Sequence, residues 1–208
     1  MQQKHPFLKY RGPPGTHDIH LLADVLNKIR NPSADSIEIP IFDKSLHAGQ
    51  GDRCLNGRVI QGPLKYCIFE GWFNGLLAAS PHEMEPKMDE TDNISGSKEL
   101  LHFANENLKQ YESVWDTMDQ LFVIRPTDFS YCFDWRQQAE TKMGGGMAPQ
   151  EIINFVKYFL KSLPPEQYYN SLYNSKKPYL FSEIVIDNNR TVVSSRSLRS
   201  PDQPLAPN

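Results

Sequence analysis

The chain has 208 residues, 39% of them hydrophobic, which is enough to enclose one core, so a single domain is the starting expectation. Its formal net charge is -3 and its pI about 6.1, and its lysines and arginines are scattered without a polybasic block, which argues against nucleic acid or an anionic membrane as the main partner. No apolar run approaches the ~20 residues of a membrane-crossing helix, the opening Met1-Gln-Gln-Lys-His-Pro6 lacks a signal-like apolar centre, and Cys54, Cys67 and Cys132 stand too far apart for a disulfide framework or a CxxC zinc site, so a cytoplasmic protein is expected.

Residues 1–10 are polar and unpatterned, and Arg11-Gly-Pro-Pro-Gly-Thr-His-Asp18 is rich in turn formers. Ile19, Leu22, Val25, Leu26 and Ile29 then recur at helical spacing, with Thr16 as the expected N-cap and Asn31-Pro32 as the stop. Ile37, Ile39 and Ile41 alternate with Glu38 and Pro40, a short strand that the proline places at an edge. Residues 42–53, dense in charge and glycine, read as a loop, and Asn56-Gly57 as a turn. Within Leu64–Phe73, the run Tyr66–Phe69 is almost wholly apolar, the pattern of a strand buried on both faces of a parallel sheet. Glu70 falls where that strand would end and Gly71 where the chain would turn. A carboxylate there is either a solvated strand end or a working acid, because ligands gather outside the carboxyl ends of such strands.

Residues 80–99 are acidic, contain proline and show no periodicity, as in a mobile surface loop. From Lys98 a helix is expected with Leu101, Ala104, Leu108, Tyr111 and Trp115 on one face, followed by a buried strand at Leu121–Ile124. A helix over Ser130–Met143 carries Arg136 and ends at Gly144-Gly-Gly146. Pro149 opens another, with Ile152, Ile153, Val156 and Phe159 facing the core, and Pro164-Pro165 closes it. Phe181–Ile186 and Arg190–Ser194 flank Asn188-Asn189 as a hairpin. The folded domain is expected over 1–199 and a disordered tail over 200–208; there is no internal repeat.

Strands alternating with helices indicate an α/β sheet whose loops gather at one edge. Loops 11–18, 42–53 and 70–75 carry Arg11, His17, Asp18, Asp43, Lys44, Asp52, Arg53 and Glu70. That set suits an anionic substrate held by Arg and Lys, and a metal held by carboxylate through water. Gly12-Pro-Pro-Gly15 is no phosphate loop, since prolines have no N–H to offer. The Gly144–Gly146 triplet has amides but no following Lys-Ser/Thr, which favours a hinge over a phosphate cradle. Neither GxSxG nor HExxH occurs. His17 and His47 are either general bases or structural hydrogen-bond partners, and Tyr111 and Trp115 belong to a core rather than a stacking platform.

A series of segments in fixed order carries a family likeness: Arg11-Gly-x-Pro-Gly-Thr-His-Asp18, Pro40-x-x-Asp-Lys-Ser45, Gly49-x-Gly-Asp-Arg53, Phe69-Glu-Gly-Trp72, Asn105-x-x-Leu-x-x-Tyr111, Trp115, Asp119, Trp135-Arg136-x-Gln-x-Glu140 and Met147. Together, over roughly residues 8–193, they resemble the glycerate kinase-like P-loop kinases, which include plant D-glycerate 3-kinase and related fungal ATP-dependent kinases of the phosphoribulokinase and uridine kinase superfamily. The resemblance implies a three-layer parallel sheet with helices on both faces, ATP and Mg2+ as reaction partners, and a small hydroxylated acceptor, possibly glycerate, as substrate. It implies Glu70 as the acid at the Walker B position, facing magnesium through water, and Arg136 in a lid helix over the phosphates. Arg11, His17, Asp18, Asp43, Lys44 and Arg53 would line the acceptor side, with Asp43 and Lys44 close to the reacting groups and Lys44 or Arg53 meeting an acceptor carboxylate.

One departure accompanies the likeness. Family members carry a G-x-x-x-x-G-K-S/T loop and an Asp-Asp-Phe-Tyr strand end ahead of the Arg-Gly-x-Pro-Gly segment, and neither occurs in these 208 residues. The expectation is therefore a kinase domain without its first βαβ portion, a fragment or truncated gene model in preference to a natural non-catalytic binding or scaffold paralogue. A sheet lacking a central strand is expected to be rearranged.

Overall fold

The computed structural model describes residues 8–31, 33, 35–47, 49–80, 83, 97–144, 146–175 and 180–199; the expected tail at 200–208 and nearly all of the expected loop at 80–99 lie outside them. The chain divides into two compact units, Asp18–Trp72 and Met1–His17 with Phe73–Asn208, and each is described by itself. No helix among the described residues is long and apolar enough to cross a membrane.

In the Asp18–Trp72 unit, helix α1 spans Ile19–Arg30. Its N-cap is Asp18, not the expected Thr16: the carboxylate accepts from the Leu21 N–H at 3.0 Å, satisfying one of the helix's orphan donors. Lys28 and Arg30 in the last turn complement the negative end of the helix dipole. Buried Val25 and Leu26 turn toward strand β1 (Ser36–Ile39), whose Ile37 is only 1% exposed. Strand β1 pairs antiparallel with β4 (Arg58–Gln61), Ile37 opposite Ile60. Replacing Asp18 by alanine is expected to lower the stability of this unit by about 0.5–2 kcal/mol, read as a shifted urea midpoint with unchanged slope.

Two expectations change here. The segment 42–53 is not all loop: β2 (Phe42–Asp43) and β3 (Asp52–Arg53) form an antiparallel pair, with Asp43 opposite Asp52. The run Tyr66–Phe69 forms no strand, and Tyr66 and Ile68 are 82% and 95% exposed. An apolar run becomes a buried strand only when neighbouring strands take its N–H and C=O groups and other layers cover its faces. Among the described residues no strand pairs with 64–72, and without that pairing Tyr66 and Ile68 stay outside.

The second unit holds a sheet in the order β5-β6-β7: β5 (Gln120–Pro126) parallel to β6 (Leu180–Ile186), and β6 antiparallel to β7 (Val192–Arg199). Helices α4 (Tyr131–Lys142), α5 (Pro149–Ser162) and α6 (Pro165–Asn174) form the crossover between the parallel strands. The sheet is thus mixed rather than wholly parallel, because a turn of only a few residues at 187–191 can return the chain antiparallel but never parallel. Leu121 and Val123 of β5 are buried and pack with Phe181 and Leu172, while Phe122 and Ile124 are 59% and 56% exposed; the strand is buried on one face only.

Helix α2 (Ser97–Leu108) runs through a 3-10 turn at Lys109–Tyr111 into α3 (Glu112–Trp115). The predicted stripe of Leu101, Ala104, Leu108, Tyr111 and Trp115 is buried throughout. The Trp115 indole donates to the Leu76 carbonyl at 2.8 Å, so burial leaves no polar atom of that ring unpaired. Helix α6 was not anticipated, although Pro165 at its first position is the residue that position favours.

Candidate functional site

Within the Asp18–Trp72 unit, the β2–β3 pair and the start of α1 set several predicted residues side by side. Arg53, at the end of β3, donates through Nη1 to Asp18 Oδ2 at 2.9 Å. The same aspartate caps α1 through its other oxygen, and the Leu21 amide, with Arg53, holds its pKa below the usual value. Asp43 accepts from the amide and the hydroxyl of Ser45, which lowers its pKa and fixes the turn that presents Lys44 to solvent. Asp52, directly across from Asp43, bonds the Arg53 amide and faces His47 Nε2 at 3.1 Å. The cluster is thus three acids around one arginine, its guanidinium bonded to Asp18 and its amide to Asp52, with Lys44 next to Asp43 in the chain and exposed to water. Glu70 belongs to the same unit but stands exposed on irregular backbone, not at the end of a buried strand. Among the described residues no three His, Cys, Asp or Glu side chains are grouped so as to hold a metal ion.

In the other unit, Arg11 is exposed and opens a tight turn in which Thr16 donates to the Pro13 carbonyl at 2.7 Å and accepts from the Gly12 amide at 2.9 Å. Gly15 has φ +91° and lies so close to Asn107 and Phe103 that a Cβ would meet them at 2.8 Å; only glycine lets this turn rest on α2. His17 Nδ1 lies 2.7 Å from the Tyr111 hydroxyl, and its ring meets Phe73 and Tyr111. Loss of water there holds the His17 pKa below its ordinary value and, with the same cause dominant, pushes Tyr111 up to about 12. His17 thus carries a side-chain hydrogen bond with Tyr111.

Arg136 lies on α4 and is not free. Its Nη2 bonds Glu140 one turn on, its guanidinium sits 4.4 Å from the centre of the Phe155 ring, and Glu140 is buried, its other oxygen accepting from the Met147 amide at 3.3 Å. The motif Trp135-Arg136-x-Gln-x-Glu140 therefore works as a unit in which the last residue aims the second. Trp135 is held by its own bond to the Asn188 carbonyl at 2.8 Å.

A cluster that the sequence reading passed over surrounds Glu183 in the middle of β6. Its side chain is fully enclosed and accepts from Tyr173 Oη at 2.5 Å, Arg196 Nε at 2.8 Å and Arg125 Nε at 3.1 Å. The signal was present: an acid inside the apolar run Phe181-Ser-Glu-Ile-Val-Ile186, the same pattern that drew attention to Glu70.

A mixed β-sheet with crossover helices, shared with solved kinases, places the chain in the P-loop kinase class of α/β folds. No protein-family model matches it. It is 30% identical over 198 residues to the uncharacterized kinase mug58 of Schizosaccharomyces pombe, covering 89% of this chain and 69% of that protein. It is 31% identical over 172 residues to the chloroplastic D-glycerate 3-kinase of Arabidopsis thaliana, covering 77% of this chain and 36% of that one. A solved D-glycerate 3-kinase from Cryptococcus neoformans superposes with a TM-score of 0.81 at 32% identity, covering 93% of this chain and 71% of its own. The chain belongs to the family of D-glycerate 3-kinases and related fungal kinases.

Proposed function

We propose that this chain carries the acceptor-binding part of an ATP-dependent kinase that phosphorylates a small hydroxy acid such as glycerate. In the net reaction the acceptor hydroxyl oxygen bonds the γ-phosphorus, the bond to ADP breaks, and the hydroxyl proton is released. The observation that supports this reading most is the Asp18–Arg53 pair beside Asp43 and Lys44. Asp18 occupies one nitrogen of the Arg53 fork, which leaves further donors for an acceptor carboxylate. Lys44 adds a second, mobile cation. Asp43, tied down by Ser45, stays ionised at neutral pH and is adjacent to Lys44 in the chain. By family resemblance, Arg11, His17 and Asp18 are assigned to the acceptor, Glu70 to the cation and Arg136 to the phosphates. ATP and magnesium are partners in the reaction. Glu70 would hold magnesium through water, the other ligands coming from water and the nucleotide phosphates.

The test has two parts. Purified, the 208 residues are expected to bind D-glycerate and to lose most of that binding on Arg53→Gln and Lys44→Gln, measured by isothermal titration. They are expected to show no turnover with ATP and D-glycerate in a coupled assay, because these residues contain no phosphate loop, and positioning and charge neutralisation supply most phosphoryl-transfer catalysis. Turnover that disappears in Glu70→Gln would refute the second part. Unaltered glycerate binding in both cluster variants would refute the first. Binding without turnover, persisting after a relative's nucleotide-binding segment is joined ahead of residue 1, would favour a binding protein over a kinase.

A further inference from the structure

An open groove of about 540 Å³ in the unit that holds the three-stranded sheet is lined by Arg125, Phe129, Tyr169, Asn170, Tyr173 and Arg196, among others. No residue of the kinase reading contributes to it. Its floor is a charge cluster that does not balance. Glu183 brings one negative charge, fully enclosed; Arg125 and Arg196 bring two positive ones, bonded through Nε to its two oxygens at 3.1 and 2.8 Å. Tyr173 donates its hydroxyl to the same carboxylate and adds no charge.

The geometry of those bonds decides what is left over. Each guanidinium uses its Nε on Glu183, so the outer Nη1–Nη2 edge of each, the end-on fork, is left for a ligand. Both arginines line the groove, and they are 30% and 51% exposed. Because both hold oxygens of one carboxylate, the two forks stand next to each other. Aromatic faces fix them there: the Arg125 guanidinium lies 5.8 Å from the Tyr169 ring centre, and that of Arg196 5.2 Å from Tyr173. Phe129, 5.8 Å from Tyr169, extends the apolar wall. A carboxylate ligand, with two oxygens, matches one fork; a phosphate monoester has three terminal oxygens and up to two charges, and so can accept from both forks at once. Glu166, the one acid on the rim, is exposed and free to turn into water.

We propose that this groove binds the phosphate of a small phosphate monoester, with Arg125 and Arg196 as paired donors and Tyr169 and Phe129 as the wall for its organic part. The excess positive charge of the floor supplies the attraction, and the enclosed Glu183 holds the donors in place before the ligand arrives, so little side-chain ordering is left for binding to impose.

The experiment titrates phenyl phosphate into the chain in chloride buffer and follows heat or arginine side-chain NMR signals. Saturable binding at one site is expected, weakened about tenfold or more by Arg196→Gln, which removes a donor, and by Asn170→Glu, which adds a like charge to the groove wall. Asn170 is exposed and outside the Glu183 cluster, so Asn170→Glu keeps the fold and reads the site even where Arg196→Gln does not. Benzoate, the same ring on a carboxylate, is expected to bind several-fold more weakly. Benzoate binding as tightly as phenyl phosphate would overturn the phosphate assignment. Absence of saturation, or full affinity in folded Asn170→Glu, would overturn the site.

Discussion

Arg136→Ala is expected to lower stability by about 3–5 kcal/mol, because it leaves Glu140, 7% exposed, as a buried carboxylate without its cation and strips the guanidinium from the Phe155 face. Replacing both partners, Arg136→Met with Glu140→Leu, should restore much of the loss, since the cost lies in the unpaired charge rather than in the absence of the pair. Urea midpoints of the single and double variants measure this directly. If the proposed lid role holds, the same substitution in a form joined to a nucleotide-binding segment should also lower turnover by about 10³–10⁵, the range for an arginine that meets charge developing on a transferring phosphoryl group. Turnover and catalytic efficiency would then fall together, whereas a ground-state contact would mainly raise the Michaelis constant. A full stability loss with unchanged kinetics would leave Arg136 a structural residue of α4.

The second large effect belongs to Glu183. Glu183→Ala leaves two guanidiniums side by side in the sheet's covered face, and the expected loss is about 3 kcal/mol, at the low end for a broken buried pair because Arg196 is half exposed. The pH dependence has a definite sign. Burial alone would raise the Glu183 pKa, but the bonds from Tyr173, Arg196 and Arg125 outweigh it and the value lies below the ordinary 4.5. The unfolded chain therefore takes up this proton at higher pH than the folded one. The stabilisation is complete well above pH 4.5 and is lost as pH falls through the depressed value. Glu183→Gln should flatten that acid limb of the stability curve. An unchanged limb would show that other carboxylates dominate acid unfolding.

Helices α1, α2 and α5 were legible because a 3.6-residue apolar period is a local property; on α5 Ile152 and Val156 are buried as expected, but Ile153 stands exposed. Helix α4 has no such period, and the residue it buries is Glu140. The hairpin of β6 and β7 was legible from its turn residues. Capping was legible in kind but not in place: Thr16 and Asp18 are both good caps, and which one the helix uses depends on the turn that Gly12 and Gly15 allow.

The sequence by itself determined most of the helices (α6 excepted), the core stripe from Leu101 to Trp115, and a set of family motifs specific enough to identify a kinase. Only the tertiary structure decided which apolar runs become strands and which acids are enclosed. Tyr66–Phe69 and Phe181–Ile186 are alike in composition, each with an acid in or beside the run, yet the first is exposed and the second paired on both sides. A strand exists through hydrogen bonds to other strands, and those partners are remote in sequence. The same remoteness explains Glu183: Arg125 and Arg196 lie on the strands either side of it, and pairing alone turned three scattered charges into a cluster.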